Sequence, residues 1–307
     1  MKEHKPHFEK GILFMLLSAA CLSLFTLFIK LSNEAVDFFL LAFLRFILPL
    51  VLIVAYMWQR GSLHGLFPMK NLKLHLIRIF CVLIYQYGIF YYLTKKSLFD
   101  ATVLQNTAPL FIPLFDWLIL RHKIHRTTFI SMLLSFIGIL LILPPDKGLF
   151  AWISLIGLVA AFAQGASQFL FGLQSNKEKT DANVFYYYFL SSIFSLFVFL
   201  VSGFFGPHLI AEVGSLKTLG TSFYLYLLAL SLVSIFNQSF RGMAYKHGRP
   251  STLAPFLYFS VPLSGLLDWI VYEHLPSLMT LLGSGFVIFG GLIHYVANRK
   301  EVRHGAK

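Results

Sequence analysis

Apolar residues run through this chain in ten blocks, each long enough to be one helical crossing of a bilayer and each bounded by a few polar or charged positions. A crossing needs about 20 predominantly apolar residues. On that measure the pattern predicts spans over residues 11–31, 36–58, 75–94, 101–120, 127–143, 151–173, 182–205, 221–245, 252–272 and 278–296. Pro144-Pro145-Asp146 breaks the chain in two. This gives one five-span unit over 11–144 and another over 151–297, with short basic arms at 1–10 and 298–307. The loops are short, and none leaves room for a soluble domain.

One stretch occurs twice. Asp116 to Leu140 and Asp268 to Leu292 align at a constant offset of 152 residues, with Asp116-Trp117 on Asp268-Trp269, His122 on His274, Thr128 on Thr280 and Gly138 on Gly290. Each copy is the end of one span, a charged turn and the start of the next. Repetition in an apolar chain points to a carrier built from two halves. Five spans per half is an odd number, so the second half is inverted relative to the first. The expected fold is all-α: ten transmembrane helices in two inverted five-helix repeats.

Composition supports this. Of 307 residues 57% are hydrophobic and 12% charged, against about 25% charged in soluble domains; mean hydropathy is +0.74. Cys21 and Cys81 both lie in apolar runs and form neither a disulfide framework nor a metal spacing. No metal or cofactor is implied. The net charge of +12 sits in short loops and arms, which argues against nucleic acid as a partner. No cleavable signal is expected, because the first apolar run lacks a small-residue cleavage site. No Gly-Lys pair occurs, which excludes an ATPase phosphate loop. Nineteen lysines and arginines fall on the side of the N-terminus and five on the other, with Arg45 inside a span. Both termini are therefore expected in the cytoplasm, with Lys123 inside and Lys147 and Lys217 outside.

Ten spans in two inverted halves resemble the drug/metabolite transporter superfamily, EamA type. The local matches are Phe43-Leu44-Arg45-Phe46, Ala108-Pro109-Leu110-Phe111 and the turns into spans 5 and 10, where Glu273 keeps the family's acid and Arg121 replaces it. The resemblance covers residues 11–296. It implies a secondary carrier of a small organic metabolite, amino-acid-like or nucleoside-derived, in a bacterial inner membrane. The segment from Ala244 to Tyr258 also resembles S-adenosylmethionine carriers of intracellular bacteria. The reading from another class is a membrane-embedded lipid-modifying enzyme or a flippase. An enzyme would need acids or histidines clustered at one membrane face, and here the histidines are scattered. The partners implied are a small solute and the bilayer; the oligomeric state stays open.

Polar residues within the spans are the candidate site. Arg45 lies eight residues into span 2, either as an anchor for a carboxylate or phosphate or as a structural arginine. Gln86, Gln164, Asn237 and Tyr258 fall at depths that inverted halves would bring around a midplane cavity, with Gln238 beside Asn237. An unpartnered amide in hydrocarbon costs a few kcal/mol, so these face one another, water or a solute. Asp116 and Asp268 are the candidates for proton coupling, or else hydrated carboxylates near span ends. Pro109 and Pro113 in span 4 have counterparts in Pro255 and Pro262 in span 9, where broken helices point to a binding site or a packing kink. Gly157, Ala161 and Gly165 share a helix face and read as packing. Tyr186-Tyr187-Tyr188 reads as an interfacial belt with one ring facing a pathway.

Overall fold

The structure is a computed structural model that describes residues 8–32, 38–63, 66, 69, 71–93, 95, 104–122, 126–142, 153–205, 220–273 and 278–304. Lys123, Lys147, Lys217 and His274 lie outside the described residues, as does the side chain of Asp268. No strand occurs among the described residues. The helices are α1 (Phe8–Ser32), α2 (Phe38–Gln59), α3 (Leu72–Leu93), α4 (Ala108–Leu120), α5 (Arg126–Ile142), α6 (Ser154–Ser175), α7 (Thr180–Phe205), α8 (Thr221–His247), α9 (Pro250–Leu253), α10 (Ser260–Tyr272) and α11 (Leu278–His304). A 3₁₀ segment, Ala254–Phe259, joins α9 to α10.

Among the described residues eight helical runs, one of them Pro250–Val271 across α9, the 3₁₀ segment and α10, are long and apolar enough to cross a membrane. Two more, α4 and α5, are apolar but shorter. Leu104 and Gln105 are helical, Asn106 and Thr107 form a turn, and α4 starts at Ala108. Pro109, within its first turn, explains why a helix begins there, since proline is tolerated where no N–H is needed. Pro255 likewise opens the 3₁₀ segment. Small buried residues such as Ser18, Ala19, Ser131, Ser135, Ala160 and Ala161 stand among the larger buried leucines, isoleucines and phenylalanines. Small residues let backbones approach closely.

The repeat is visible in local geometry. Helices α4 and α10 are both 13 residues long and start at Ala108 and Ser260, 152 apart. They end on Arg121 and Glu273, also 152 apart, and these two are the only described non-glycine residues with positive φ, at 55° and 57°. A left-handed residue at a helix end satisfies terminal carbonyls, and the Arg121 N–H donates to the Asp116 carbonyl. The next helices, α5 and α11, start at 126 and 278.

Packing between the halves is reciprocal. A Cβ on Gly138 of α5 would lie 2.5 Å from the Gly283 carbonyl of α11, and one on Gly290 of α11 would lie 2.7 Å from the Ser131 carbonyl of α5. These positions exchange under the same offset. Ser23 of α1 donates to the Ser260 carbonyl at 2.8 Å, while Gly165 of α6 presses against the Ala108 carbonyl. Each carbonyl belongs to the first residue of its helix. Helix α1 packs on α8, α3 on α6, α2 on α7 and α5 on α11. Exchanging the halves turns this set of pairs into itself.

Two apolar clusters flank the centre. One gathers Met15, Ile112, Ile139, Phe169, Phe171 and Val287 from α1, α4, α5, α6 and α11. The other gathers Phe46, Ile53, Val82, Val184 and Tyr188 from α2, α3 and α7. The tyrosine run does not form a headgroup belt. Tyr186 and Tyr188 are buried, and their hydroxyls bond to the Leu66 carbonyl and, at 2.7 Å, to Ser234. A hydroxyl that finds an interhelical partner has no need of the interface.

The left-handed cap gives the first prediction. An L side chain there costs about 1 kcal/mol, and glycine does not carry that cost. Arg121→Gly is expected to raise the unfolding midpoint in detergent by roughly 2–4 °C. A lower midpoint would mean that the arginine makes contacts worth more than the strain.

Candidate functional site

Between the two apolar clusters lies a small polar cavity of about 30 Å³, lined from α3, α6, α7 and α8 by Arg78, Val82, Gln164, Ser167, Gln168, Phe171, Tyr187, Gln238 and Arg241. Arg78 enters from α3 and is 2% exposed. Its guanidinium carbon stands 3.8 Å from the centre of the Phe171 ring and 4.8 Å from that of Tyr187. Its Nη1 donates to Gln174 Oε1 at 2.9 Å and to Asn183 Oδ1 at 2.8 Å. Both acceptors are neutral, and its Nε has no partner. Aromatic faces hold the plane of a guanidinium, and the amides set its rotation.

Arg241 of α8 is 5% exposed. Its Nε donates to Ser18 Oγ at 3.2 Å, and its Nη2 has no partner. Asn237, one turn earlier on α8, donates to the Ser18 carbonyl at 2.7 Å. Ser18 thus holds both side chains and ties α1 to α8. Tyr245, one turn after Arg241, donates to Gln168 Oε1 at 3.2 Å and fixes that amide against the cavity wall.

Behind Arg78 a polar chain runs to the turn between α6 and α7. Gln174 Nε2 lies 3.3 Å from His75 Nδ1. Since Gln174 Oε1 is taken by Arg78, the amide nitrogen is the donor, and His75 Nε2 is left to donate to Glu178 at 2.9 Å. Asn71 donates to the other carboxylate oxygen at 2.9 Å. Burial opposes the charge on Glu178. The hydrogen bonds from His75 and Asn71 and the nearby positive groups outweigh it, so the carboxyl lies below its ordinary value of 4.5.

Of the residues singled out in the sequence, Gln164 lines the cavity. Asn237 holds Ser18 as described. Arg45 is half-buried on α2, with its guanidinium 5.0 Å from the Phe25 ring. The Gln86 amide nitrogen and the Tyr258 hydroxyl are buried without partners, and neither residue lines the cavity. Asp116 is buried and accepts from Ser251, with His122 Nδ1 2.9 Å away. Gly157 and Gly165 pack against Leu104 and against Ala108 and Phe111. Cys21 and Cys81 are free and half-buried. Among the described residues no group of histidines, cysteines or acids could hold a metal.

Arg78, Arg241 and Gln168 escaped the sequence reading. The two arginines sit a few residues inside the ends of spans 3 and 8, where a cation reads as a topology charge able to reach the headgroups. The available signal was Arg78 inside an apolar helix flanked by Val82 and Cys81, with a buried-type Asn183 near the start of span 7.

Comparison with known proteins bears on this geometry. The model of the EamA-like transporter family matches residues 9–143. Those residues are similar to the EamA-like transporter family. Curated relatives align across both halves. The pseudopaline exporter CntI of Pseudomonas aeruginosa is 24% identical over 282 residues, which is 91% of this chain and 94% of the exporter. The riboflavin transporter of Vibrio cholerae is 24% identical over 80% of this chain and 79% of its own length, and that of Brucella anthropi 21% identical over 82% and 86%. A solved crystal structure shares the fold, with a TM-score of 0.76, 18% identity and coverage of 95% of this chain and 98% of the other. The EamA-like chain is thus a multi-pass integral membrane protein and a small-molecule transporter, not an enzyme.

Glu178 supplies a test of the polar chain behind the cavity. A carboxyl with a depressed value adds stability above its ordinary 4.5 and loses it as pH falls through the depressed range. Glu178→Gln should lower the unfolding midpoint at pH 7, by an amount equivalent to about 1–3 kcal/mol. The gap from the parent should narrow toward pH 3. A gap that stays constant with pH would remove the charge from the account.

Proposed function

We propose that this protein is a secondary carrier. It moves a small organic solute by alternating access through the cavity between α3, α6, α7 and α8. The observation that carries the reading is that cavity: polar, walled by helices of both halves, and holding guanidinium nitrogens with no partner. Polar groups in a membrane bundle are costly, and they persist where a solute or water meets them. Ten spans in two inverted five-span units, over 11–144 and 151–297, are the architecture we propose. The paired left-handed caps and the reciprocal glycine contacts support it. The site would lie in an inner membrane with both termini in the cytoplasm, on the strength of the lysine and arginine asymmetry.

The solute is amino-acid-like or nucleoside-derived in this reading, and S-adenosylmethionine stays in the panel on the resemblance around Tyr258. The named cargoes of the relatives, pseudopaline and riboflavin, widen it. Gln164 meets the solute directly. Gln86 and Tyr258, each with a buried unpartnered polar atom, meet solute or water in a second conformation. Asn237 positions Arg241 through Ser18, and Arg45 is the outer cation of the path. Asp116 and Asp268 are the proposed proton-coupling groups.

Vesicles containing only this protein provide the test, with labelled amino acids, nucleosides, riboflavin and S-adenosylmethionine as solutes. At least one is expected to show uptake and counterflow. Gln164→Leu should then weaken its apparent affinity about tenfold, as expected for loss of hydrogen bonds in a buried site, without loss of protein from the membrane. Arg45→Ala should abolish transport. Counterflow of none of these solutes counts against the carrier reading, and undiminished transport by both variants counts against the cavity.

The acids can be checked in the same vesicles. Asp268→Asn is expected to change the pH profile of uptake more than Asp116→Asn, because the inverted topology sets Asp268 toward the outer, more acidic side. Identical profiles in parent and both variants would remove proton coupling from these residues.

A further inference from the structure

The cavity carries two buried positive charges and no described negative one. Glu178, the acid of the chain behind Arg78, is occupied by His75 and Asn71. Among the described residues no carboxylate pairs with either Arg78 or Arg241; the described ion pairs are His75–Glu178 and His122–Asp116. A buried charge without a counter-charge is strongly unfavourable. Neutral acceptors from Gln174, Asn183 and Ser18 soften that cost but do not neutralise the charge.

The free donors are specific. Arg78 uses Nη1 on Gln174 and Asn183 and leaves its Nε side unpartnered. The rings of Phe171 and Tyr187 occupy its vicinity at 3.8 and 4.8 Å, so the guanidinium is met by aromatic faces and keeps an edge for a ligand. Arg241 is held at Nε by Ser18 and leaves Nη2 unpartnered. A buried guanidinium nitrogen left without a partner is matched by an anionic oxygen acceptor. Gln238 Oε1 is buried without a partner and so can accept an N–H or O–H.

We propose that the solute is a small organic carboxylate, anchored by the free edges of Arg78 and Arg241, with a hydrogen-bond donor on its body directed at Gln238. This rests on the carrier reading and sharpens it. A neutral or cationic solute would leave two guanidinium groups uncompensated at the moment it displaced their water. A carboxylate gives each an ionic acceptor for the nitrogen that the protein leaves without a partner. A solute with two carboxylates would engage both arginines at once.

The test uses the full-length protein in detergent and in vesicles. The probes are matched pairs, glutarate with glutaramide, benzoate with benzamide, and glutamate with glutamine, together with glycerol phosphate. In thermal unfolding at least one carboxylate is expected to raise the midpoint in a saturable way, while its amide partner does not. Arg78→Gln and Arg241→Gln should each weaken that carboxylate about ten- to a hundredfold. Arg241→Lys, which keeps charge and loses the fork, should fall between. These variants remove buried charge, and each is scored only with a cooperative unfolding transition of its own, Arg241→Lys serving where a glutamine variant lacks one. Equal effects of carboxylates and amides, protection by glycerol phosphate alone, protection by no probe, or full carboxylate affinity in both glutamine variants would each overturn the proposal. The carrier reading fails separately. If the anion proposal falls by one of those outcomes, counterflow of a solute that Gln164→Leu weakens still keeps the carrier. Absence of counterflow for every solute removes the carrier even if carboxylates bind.

Discussion

The rest of the structure is arranged around the cost of holding guanidinium groups inside an apolar bundle. Arg78 is 2% exposed, and a cation at such a position is tolerated only when its donors and its plane are served. Phe171 and Tyr187 attend the face, and Gln174 and Asn183 attend one nitrogen. Those four residues come from α6 and α7. The arginine therefore sets the distance between the first half of the chain and the second. The chain from Gln174 through His75 to Glu178 and Asn71 then fastens the turn between α6 and α7 to the start of α3.

Close helix approach makes that arrangement possible. Gly165 lies against the Ala108 carbonyl, and Gly138 and Gly290 lie against carbonyls of the facing helix. Without the hydrophobic effect to drive helices together in lipid, such contacts supply dispersion at short range. They also bring serine hydroxyls within reach of neighbouring backbones, as Ser23 reaches Ser260. The glycine seam between α5 and α11 is a close-packed part of the bundle, and the polar cavity lies among α3, α6, α7 and α8.

What the sequence determined by itself is an all-helical chain of apolar spans and the offset at which a stretch of it repeats. Apolar block length marks each span, because the bilayer sets the length of a crossing. The offset of 152 residues anticipates equal helices at Ala108 and Ser260 and matching caps at Arg121 and Glu273, since a repeated local sequence meets the same local forces. Proline positions anticipate breaks in both spans: a turn at Asn106–Thr107 before α4 and the 3₁₀ segment before α10. Gln164 was legible for the same reason: an amide deep in an apolar helix has few places to go.

Only the tertiary structure decided which polar residues share a space. One residue along a helix is a rotation of about 100°, so neighbours such as Asn237 and Gln238 face different partners: the first bonds to Ser18, and the second lines the cavity. Arg78 and Arg241 lie near span ends, where sequence pattern assigns cations to the headgroups. The bundle instead surrounds them, because aromatic rings and amides from α6 and α7 and a serine from α1 reach them first. Those partners are up to 223 residues away in the chain. Local pattern carries no record of such contacts; the fold creates them when helices from both halves close on one another.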